Sequence, residues 1–245
     1  ALHGFLGHPD DWSPLRSWLP DVRWSAVDLW SVIGRRDVQD WTTLGAAIES
    51  EIASAAAAAP EVPTVVLAYS LGARLVLASP GAAAHVAGTC LVSCHPGLDD
   101  SDDSLRGARR LADETWAERL LDWETSAFLE AWNRQPVLAA SAPLRAHHEF
   151  PAGREALAKA LRDFSLAGQP DWSDRLRRWP GPLLLVAGER DTKFVGLARR
   201  FEHAGPNPAV RIVAEAGHRV PWDVPERFAE VFAEWAEGLI SRSRT

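Results

Sequence analysis

Ser70 is the residue whose surroundings most clearly suggest nucleophilic chemistry. It follows the apolar run 65–67, and a small residue stands two positions away on each side, Ala68 before it and Gly72 after it. A strand that turns sharply into a helix leaves no room for Cβ atoms beside the serine, so the usual pattern is G-x-S-x-G. Ala68 is the smallest possible departure from that pattern. The segment predicts a nucleophile elbow, although x-S-x-G alone is a weak signal.

An acid and a base that could assist the serine come later in the chain. Asp191 follows the apolar run 182–187, and His218 follows the run 210–213. Ligands of open α/β sheets bind beyond the carboxyl ends of the strands, where Ser70 is also expected. Taken singly, Asp191 fits a helix N-cap and His218 fits a surface loop equally well. The order Ser, Asp, His at three strand ends favours a catalytic triad in the order that α/β-hydrolases use.

Two backbone N–H groups could form an oxyanion hole. They are those of Leu71, directly after the serine, and of Phe5, which follows the pair His3-Gly4. Donors fixed about 3 Å from a developing oxyanion lower the barrier by a few kcal/mol. His3 itself is expected to pack and to make internal hydrogen bonds.

Arginine and tryptophan side chains could add a site for an anion. Arg74 lies four residues after Ser70, one helical turn along the same face, and fits either the pocket or a surface ion pair. A basic cluster fits a solvated helix face: Arg106, Arg109 and Arg110. Three tryptophans fit an apolar helical core: Trp116, Trp123 and Trp132.

Strands and helices alternate towards both ends of the chain. The predicted strands are 22–29, 65–67, 89–93, 182–187 and 210–213, and the predicted helices include 41–59, 71–79 and 225–240. This alternation predicts a mostly parallel, doubly wound α/β sheet. Residues 99–179 lack a convincing strand and contain several helical segments, which predicts a helical cap inserted into a core of 1–98 and 180–245. Crossover helices are the alternative, but about 80 residues is long for them.

Composition narrows the classes of partner. The 245 residues are 47% hydrophobic and carry a formal net charge of −7, which argues against nucleic-acid and anionic-membrane partners. No apolar stretch is long enough to span a membrane and no signal peptide is visible. Cys90 and Cys94, four apart on a strand, would lie roughly 13 Å from each other, too far for a disulfide. We therefore expect packed thiols, a cytoplasmic location, and a monomer or small homo-oligomer.

Five segments together resemble the MenH family, the 2-succinyl-6-hydroxy-2,4-cyclohexadiene-1-carboxylate synthases of menaquinone biosynthesis. They are Tyr-Ser-Leu-Gly-Ala-Arg (69–74), His-Pro-Gly-Leu (95–98), Trp-Asn-Arg-Gln-Pro-Val (132–137), Ser-Leu-Ala-Gly-Gln-Pro-Asp (165–171) and Gly-Glu-Arg-Asp-Thr-Lys-Phe (188–194). The resemblance runs from residue 3 to residue 218. The elbow and the terminal Gly-His are generic, whereas the Pro-Gly-Leu, Gln-Pro-Val and Gly-Glu-Arg-Asp-x-Lys-Phe segments are fairly specific.

The resemblance implies an α/β-hydrolase fold and a set of site residues. The implied triad is Ser70, Asp191 and His218, and the implied substrate-binding residues are Tyr69, Arg74, Arg109 and Trp132. A further cap arginine of the family has no clean counterpart; the nearest residues are Arg145 and Arg154. The family's Asp-x-x-Gly-His-Gly loop is replaced by 28–34, and Arg219 follows His218 where the family commonly has a second His nearby.

The implied reaction is a carbon–oxygen elimination. In the family the serine acts as a base, pyruvate leaves as an enolate-like anion, and no cofactor or metal is needed. The substrate is a small molecule with several carboxylates, which arginine forks bind. Two alternatives remain: a hydrolase of a carboxylic ester or a carbon–carbon bond in a small acidic or aromatic substrate, and a non-catalytic binding protein of the same fold.

Overall fold

Parallel strands form the sheet that the alternating pattern predicts. The computed structural model describes residues 1–79, 81–143, 150, 152–202 and 208–242. Within these residues the sheet has four strands in the order β1-β2-β3-β4. They are β1 (Val65–Tyr69), β2 (Gly88–Val92), β3 (Leu183–Gly188) and β4 (Pro208–Val213). Single parallel bridges add Leu2 beside Ala68 and Val27 beside Leu2.

Helices follow most of the strands. The helices before β2 are α1 (Ser13–Arg16), α2 (Leu29–Ile33), α3 (Trp41–Ala57) and α4 (Leu71–Ala78). Those between β2 and β3 are α5 (Asp103–Asp122), α6 (Thr125–Asn133), α7 (Arg154–Asp163) and α8 (Ser173–Arg177). The remaining ones are α9 (Thr192–Arg199), α10 (Val220–Asp223) and α11 (Pro225–Arg242). Short 3-10 helices span Pro9–Trp12 and Ala82–His85.

The sheet is buried on both faces. In β3, Leu183 and Leu185 belong to a core with residues of α3, α4 and α9, whereas Leu184 belongs to a second core with Phe228 and Phe232 of α11. Neighbouring residues of a strand point to opposite faces, so the apolar strands need helices on both sides. The prediction of a parallel, doubly wound sheet is confirmed.

The predicted strand 22–29 is wrong in most of its length. Val27 alone makes a bridge, and α2 begins directly afterwards at Leu29. The carboxylate of Asp28 accepts hydrogen bonds from the N–H groups of Trp30 at 3.0 Å and Ser31 at 3.4 Å. This N-cap satisfies donors that the start of α2 leaves open, so the chain enters a helix where the prediction ends the strand.

The predicted cap, residues 99–179, carries α5 to α8 and has no strand among its described residues. Its start is fastened by Arg106, which donates to the carbonyl oxygens of Leu98 and Ala167 at 2.8 and 2.7 Å. The sequence suggested a solvated helix face for this arginine, but its guanidinium is held by hydrogen bonds to the backbone and stabilises the start of the predicted cap.

The cysteines are free: Cys90 is buried in β2 and Cys94 lies beyond its end. None of the described helices is long and apolar enough to cross a membrane.

Candidate active site

Ser70 stands at the tip of a tight turn between β1 and α4. Its backbone has φ 51° and ψ −107°, a conformation that L-residues rarely adopt. The turn brings Gly72 against the first residues of the chain, since a Cβ on Gly72 would lie 2.6 Å from the His3 carbonyl oxygen. The Ser70 N–H donates to the Val92 carbonyl at 2.9 Å. The need for a small residue at position 72, inferred from the sequence, therefore has a steric cause.

His218 joins Ser70 to Asp191 through hydrogen bonds. Its Nε2 lies 3.2 Å from Ser70 Oγ, and its Nδ1 lies 2.6 Å from Asp191 Oδ2. Since a carboxylate only accepts, Nδ1–H donates to Asp191 and Nε2 is left to accept the serine proton. Both side chains are buried, with 4% of His218 and 5% of Asp191 exposed. The structure thus brings together the three residues that the sequence predicted as a triad.

Asp191 and His218 are each held by further contacts. The second carboxylate oxygen of Asp191 accepts from the Phe194 N–H at 3.3 Å, so this residue is also the N-cap of α9. The Ser93 hydroxyl donates to the His218 carbonyl at 2.8 Å, and the Phe194 ring packs 4.6 Å from the imidazole. Asp191 therefore both caps α9 and accepts a hydrogen bond from His218.

The two backbone groups predicted for an oxyanion hole belong to residues that line the same cavity as Ser70. Within the described part of the chain, the N–H groups of Phe5 and Leu71 donate to no other group. His3 serves this loop structurally. Its Nδ1–H donates to the Gly4 carbonyl at 2.9 Å, its Nε2 accepts from Leu29, and burial lowers the pKa of His3 to about 4.

The cavity has a volume of about 170 Å³ and a cationic wall. Arg74 reaches it from α4 and donates to Gln169 Oε1 at 2.5 Å and to the Phe164 carbonyl at 2.8 Å. Its guanidinium lies 5.0 Å from the Trp41 ring. Burial and the neighbouring Arg109 lower the pKa of Arg74 to about 9. Of the two positions that the sequence left open, Arg74 occupies the pocket.

Arg109 is the member of the basic cluster that lines the cavity. Its Nε donates to Asp113 Oδ2 at 2.8 Å, and the Ser165 hydroxyl donates to the same oxygen at 2.6 Å. In the described residues no group accepts from its two terminal nitrogens. Arg110, one residue on, is exposed. The three arginines of the cluster therefore have different roles: Arg106 stabilises the backbone, Arg109 lines the cavity and Arg110 lies on the surface.

Tyr69 and Trp132 form the aromatic part of the wall. The Tyr69 ring packs 5.6 Å from that of His218, and burial raises the pKa of its hydroxyl. The Trp132 ring lies 5.0 Å from Phe5 of the core and 5.0 Å from Trp116 of the predicted cap. Trp132 is therefore both a packing residue of the predicted cap and a cavity residue.

Three basic residues of the cavity were not assigned a role from the sequence: His95, Lys193 and Arg219. His95 accepts from the Gly97 N–H through Nδ1 at 3.2 Å, and burial together with Lys193 lowers its pKa to about 2. His95 and Lys193 stand in segments that carried the family resemblance, which was the available signal. Arg219 was visible only as a departure from the family pattern.

Of the two candidates for a further cap arginine, Arg154 is not among the residues that line the cavity. Arg154 donates to the Trp123 carbonyl and to the Thr125 hydroxyl, each at 2.7 Å. Arg145 lies outside the described residues. Across the described ranges, no group of three or more His, Cys, Asp or Glu side chains could hold a metal ion.

Known proteins resemble this chain in sequence and in fold. A family model described as "Alpha/beta hydrolase family" matches residues 1–231. A 2-succinyl-6-hydroxy-2,4-cyclohexadiene-1-carboxylate synthase of Salmonella newport (strain SL254) is 31% identical over 174 residues. That match covers 68% of this chain and 65% of the relative, so the chain aligns with about two thirds of the relative's length.

Two solved structures illustrate the similarity in fold. MenH from S. aureus superposes with a TM-score of 0.82 at 22% identity, covering 97% of this chain and 92% of the other. A thermophilic esterase from Thermogutta terrifontis, solved with malate bound, superposes with a TM-score of 0.66 at 18% identity, covering 97% and 88%. At these identities the likeness concerns the fold alone.

Proposed function

Because the chain belongs to the alpha/beta hydrolase family, we propose that it is a MenH-like lyase in which Ser70, His218 and Asp191 act as a catalytic triad. The observation that carries this proposal is the presence of Arg74 and Arg109 in the wall of the cavity that Ser70 lines. A hydrolase of neutral esters needs the triad but not a cationic wall. The similarity to a 2-succinyl-6-hydroxy-2,4-cyclohexadiene-1-carboxylate synthase supports the same assignment.

The proposed reaction begins with proton transfer. His218 Nε2, 3.2 Å from Ser70 Oγ, takes the serine proton, and Asp191 stabilises the imidazolium that forms. The serine oxygen then removes a carbon-bound proton from the substrate ring. The electron pair of that C–H bond forms a C=C bond, the carbon–oxygen bond to the leaving group breaks, and pyruvate departs as an enolate-like anion. The His218 imidazolium protonates this anion, which returns His218 to its neutral form. The N–H groups of Phe5 and Leu71 stabilise the developing negative charge.

The arginines provide the contacts for an anionic substrate. Arg109 uses only Nε internally, so its two terminal nitrogens are available to a carboxylate as a bidentate fork. Arg74 uses Nε and one terminal nitrogen internally, which leaves the other for a single contact. We propose that Tyr69 and Trp132 pack against the substrate, and that residues 99–179 act as the cap domain over the core formed by 1–98 and 180–245.

The second candidate is a hydrolase that uses the same triad. Ser70 on its strained turn is as well placed for attack on an acyl carbon as for proton removal. The fold similarity to an esterase also fits this candidate. In this case Ser70 would form an acyl-enzyme with a small acidic ester, and water would release it.

Release of pyruvate separates the two candidates. The purified chain should release pyruvate from the cyclohexene precursor, and Ser70→Ala should lower the rate at least about 10³-fold. Arg109→Met should lower kcat/KM about 10- to 100-fold through loss of a charge-assisted hydrogen bond. Arg110→Met, on the exposed neighbour, is the matched control. Rapid hydrolysis of a p-nitrophenyl ester without any pyruvate would contradict the lyase.

A further inference from the structure

Arg219 connects the loop that carries His218 to the predicted cap. It directly follows His218, is 3% exposed and lines the cavity. Its Nη2 donates to Asn133 Oδ1, and its Nη1 to the Ala142 carbonyl, each at 2.6 Å. Its backbone N–H donates to the Ser141 hydroxyl at 2.9 Å. All three acceptors lie in the predicted cap.

The buried charge of Arg219 forms its hydrogen bonds with neutral groups of the predicted cap, Asn133 and Ala142. Asp223 adds an electrostatic attraction without a direct ion pair among the described residues. A buried guanidinium needs its donors satisfied. The position of Arg219 therefore depends on the predicted cap, and the position of this part of the cap depends on Arg219.

Asp223 binds the same two segments from the other side of His218. One of its carboxylate oxygens accepts from the Ala142 N–H at 2.7 Å, and the other accepts from the Gly217 N–H at 2.8 Å. The approach is close, since a Cβ on Gly217 would lie 2.6 Å from the Ala140 carbonyl oxygen. Residues on both sides of His218 thus rest directly on the predicted cap.

Arg219 also reaches the residue before the serine. Its guanidinium lies near the side chain of Tyr69 and interacts with it electrostatically, and the Tyr69 ring packs 5.6 Å from the His218 ring. The Arg219 side chain therefore lies beside the elbow, directly after His218, and is hydrogen-bonded to the predicted cap.

We propose that Arg219 is a positioning residue: by fastening the loop of His218 to Asn133 and Ala142, it sets the alignment of His218 with Ser70. The inference rests on the proposed function only in taking Ser70 and His218 as the reacting pair. It predicts that alignment, and not merely folding, is lost when the guanidinium is removed.

Labelling of Ser70 by a fluorophosphonate tests this without any substrate, because its rate depends on activation of the serine by His218. Arg219→Met should slow labelling about 10- to 100-fold, since small misplacements of reacting groups have effects of this size. Arg219→Lys, which keeps one donor, should recover part of the rate. Asn133→Leu should slow labelling less than Arg219→Met.

A double-mutant cycle separates positioning from general loosening. If Asn133 acts through Arg219, the variant with both changes should label at the rate of Arg219→Met alone. Thermal melting of each variant reports whether the fold is kept, and Asn133→Leu keeps the test open if Arg219→Met does not fold. Multiplicative effects of the two changes, or wild-type labelling of a folded Arg219→Met, would overturn the inference.

The outcomes also separate this inference from the proposed function. Slow labelling of Arg219→Met in a chain that releases no pyruvate would support the inference and contradict the lyase. If Arg219→Met is labelled at the wild-type rate and the wild-type chain releases pyruvate, the inference is contradicted and the lyase is supported. A wild-type chain that is not labelled at Ser70 would overturn both.

Discussion

Arg109 donates through Nε to Asp113, a carboxylate four residues along its own helix, at 2.8 Å. Asp113 is 4% exposed and also accepts from the Ser165 hydroxyl. Because this buried carboxylate takes Nε, the terminal nitrogens of Arg109 stay together and unused within the described structure. A guanidinium held in this way is ready to bind a carboxylate with little further ordering.

This arrangement predicts that lysine cannot replace Arg109. Lysine offers a point charge without a planar fork and has no Nε–H for Asp113. Arg109→Lys should lower kcat/KM for the anionic substrate about 10- to 100-fold, mainly through KM. Steady-state pyruvate release measures the change, and Arg110→Lys on the exposed neighbour should behave as wild type. Equal kcat/KM in both variants would remove Arg109 from the binding site.

Asp191→Asn tests the acid of the triad. An amide at this position can present an N–H to His218 Nδ1 and stabilise the wrong tautomer, and it cannot stabilise the imidazolium. We expect kcat to fall about 10³- to 10⁴-fold with little change in fold. Asp174→Asn, a carboxylate with 73% of its side chain exposed, is the control. In a triad such a change lowers kcat about 10⁴-fold. A fall in kcat of less than about tenfold would therefore mean that Asp191 serves only as the cap of α9.

Gly72→Ala tests the steric origin of the elbow. The new Cβ would lie 2.6 Å from the His3 carbonyl and 2.7 Å from that of Leu2, both of which are backbone atoms. We expect the free energy of unfolding to fall by about 1–3 kcal/mol and activity to fall with it. Gly107→Ala in α5 is the matched control, because nothing lies within 4 Å of its Cβ. That variant should be more stable by about 0.5–1 kcal/mol, as is usual for Gly to Ala in a helix. Urea unfolding of both variants measures the difference, and equal effects would refute the steric account.

The lowered pKa of His3 predicts that the folded protein loses stability in mild acid. Burial lowers its pKa from 6.5 to about 4, so the unfolded chain binds the proton at a higher pH than the folded protein. Stability from this residue is complete above pH 6.5 and is lost as the pH falls towards 4, by about 3 kcal/mol in total. His95, whose pKa is lowered to about 2, adds to the same trend.

Urea unfolding at several pH values measures this loss. His3→Gln should flatten the decline between about pH 7 and about pH 5, whereas His85→Gln, at an exposed position, should leave it unchanged. A wild-type slope in His3→Gln would show that His3 is not the titrating group.

The geometry around Ser70 could be predicted because its causes are local. Small residues at 68 and 72 indicate the tight turn. Polar residues that follow apolar runs indicate the carboxyl ends of strands, where Asp191 and His218 lie. Parallel strands bring those ends to one edge, so the chain order alone places the residues near one another.

The role of Arg106 could not be predicted because its partner Ala167 is distant in the chain. Arg109, three residues further along the same helix, instead binds a local partner, Asp113, four residues on. Only the packing of residues 165–169 against α5 decides between them. Arg219 was hidden for the same reason, since its acceptors are about 80 residues away in sequence, at positions 133 and 142. The predicted strand at 22–29 is wrong at its end because Asp28 caps a helix that begins at Leu29.

The backbone conformation of Ser70 lowers the stability of the folded domain. A residue with a side chain held at φ 51° costs about 1–3 kcal/mol of folding free energy relative to relaxed backbone, and glycine would cost much less. On stability alone, glycine would therefore be preferred at this position. A Ser70→Gly variant should accordingly melt at a higher temperature than the wild-type chain.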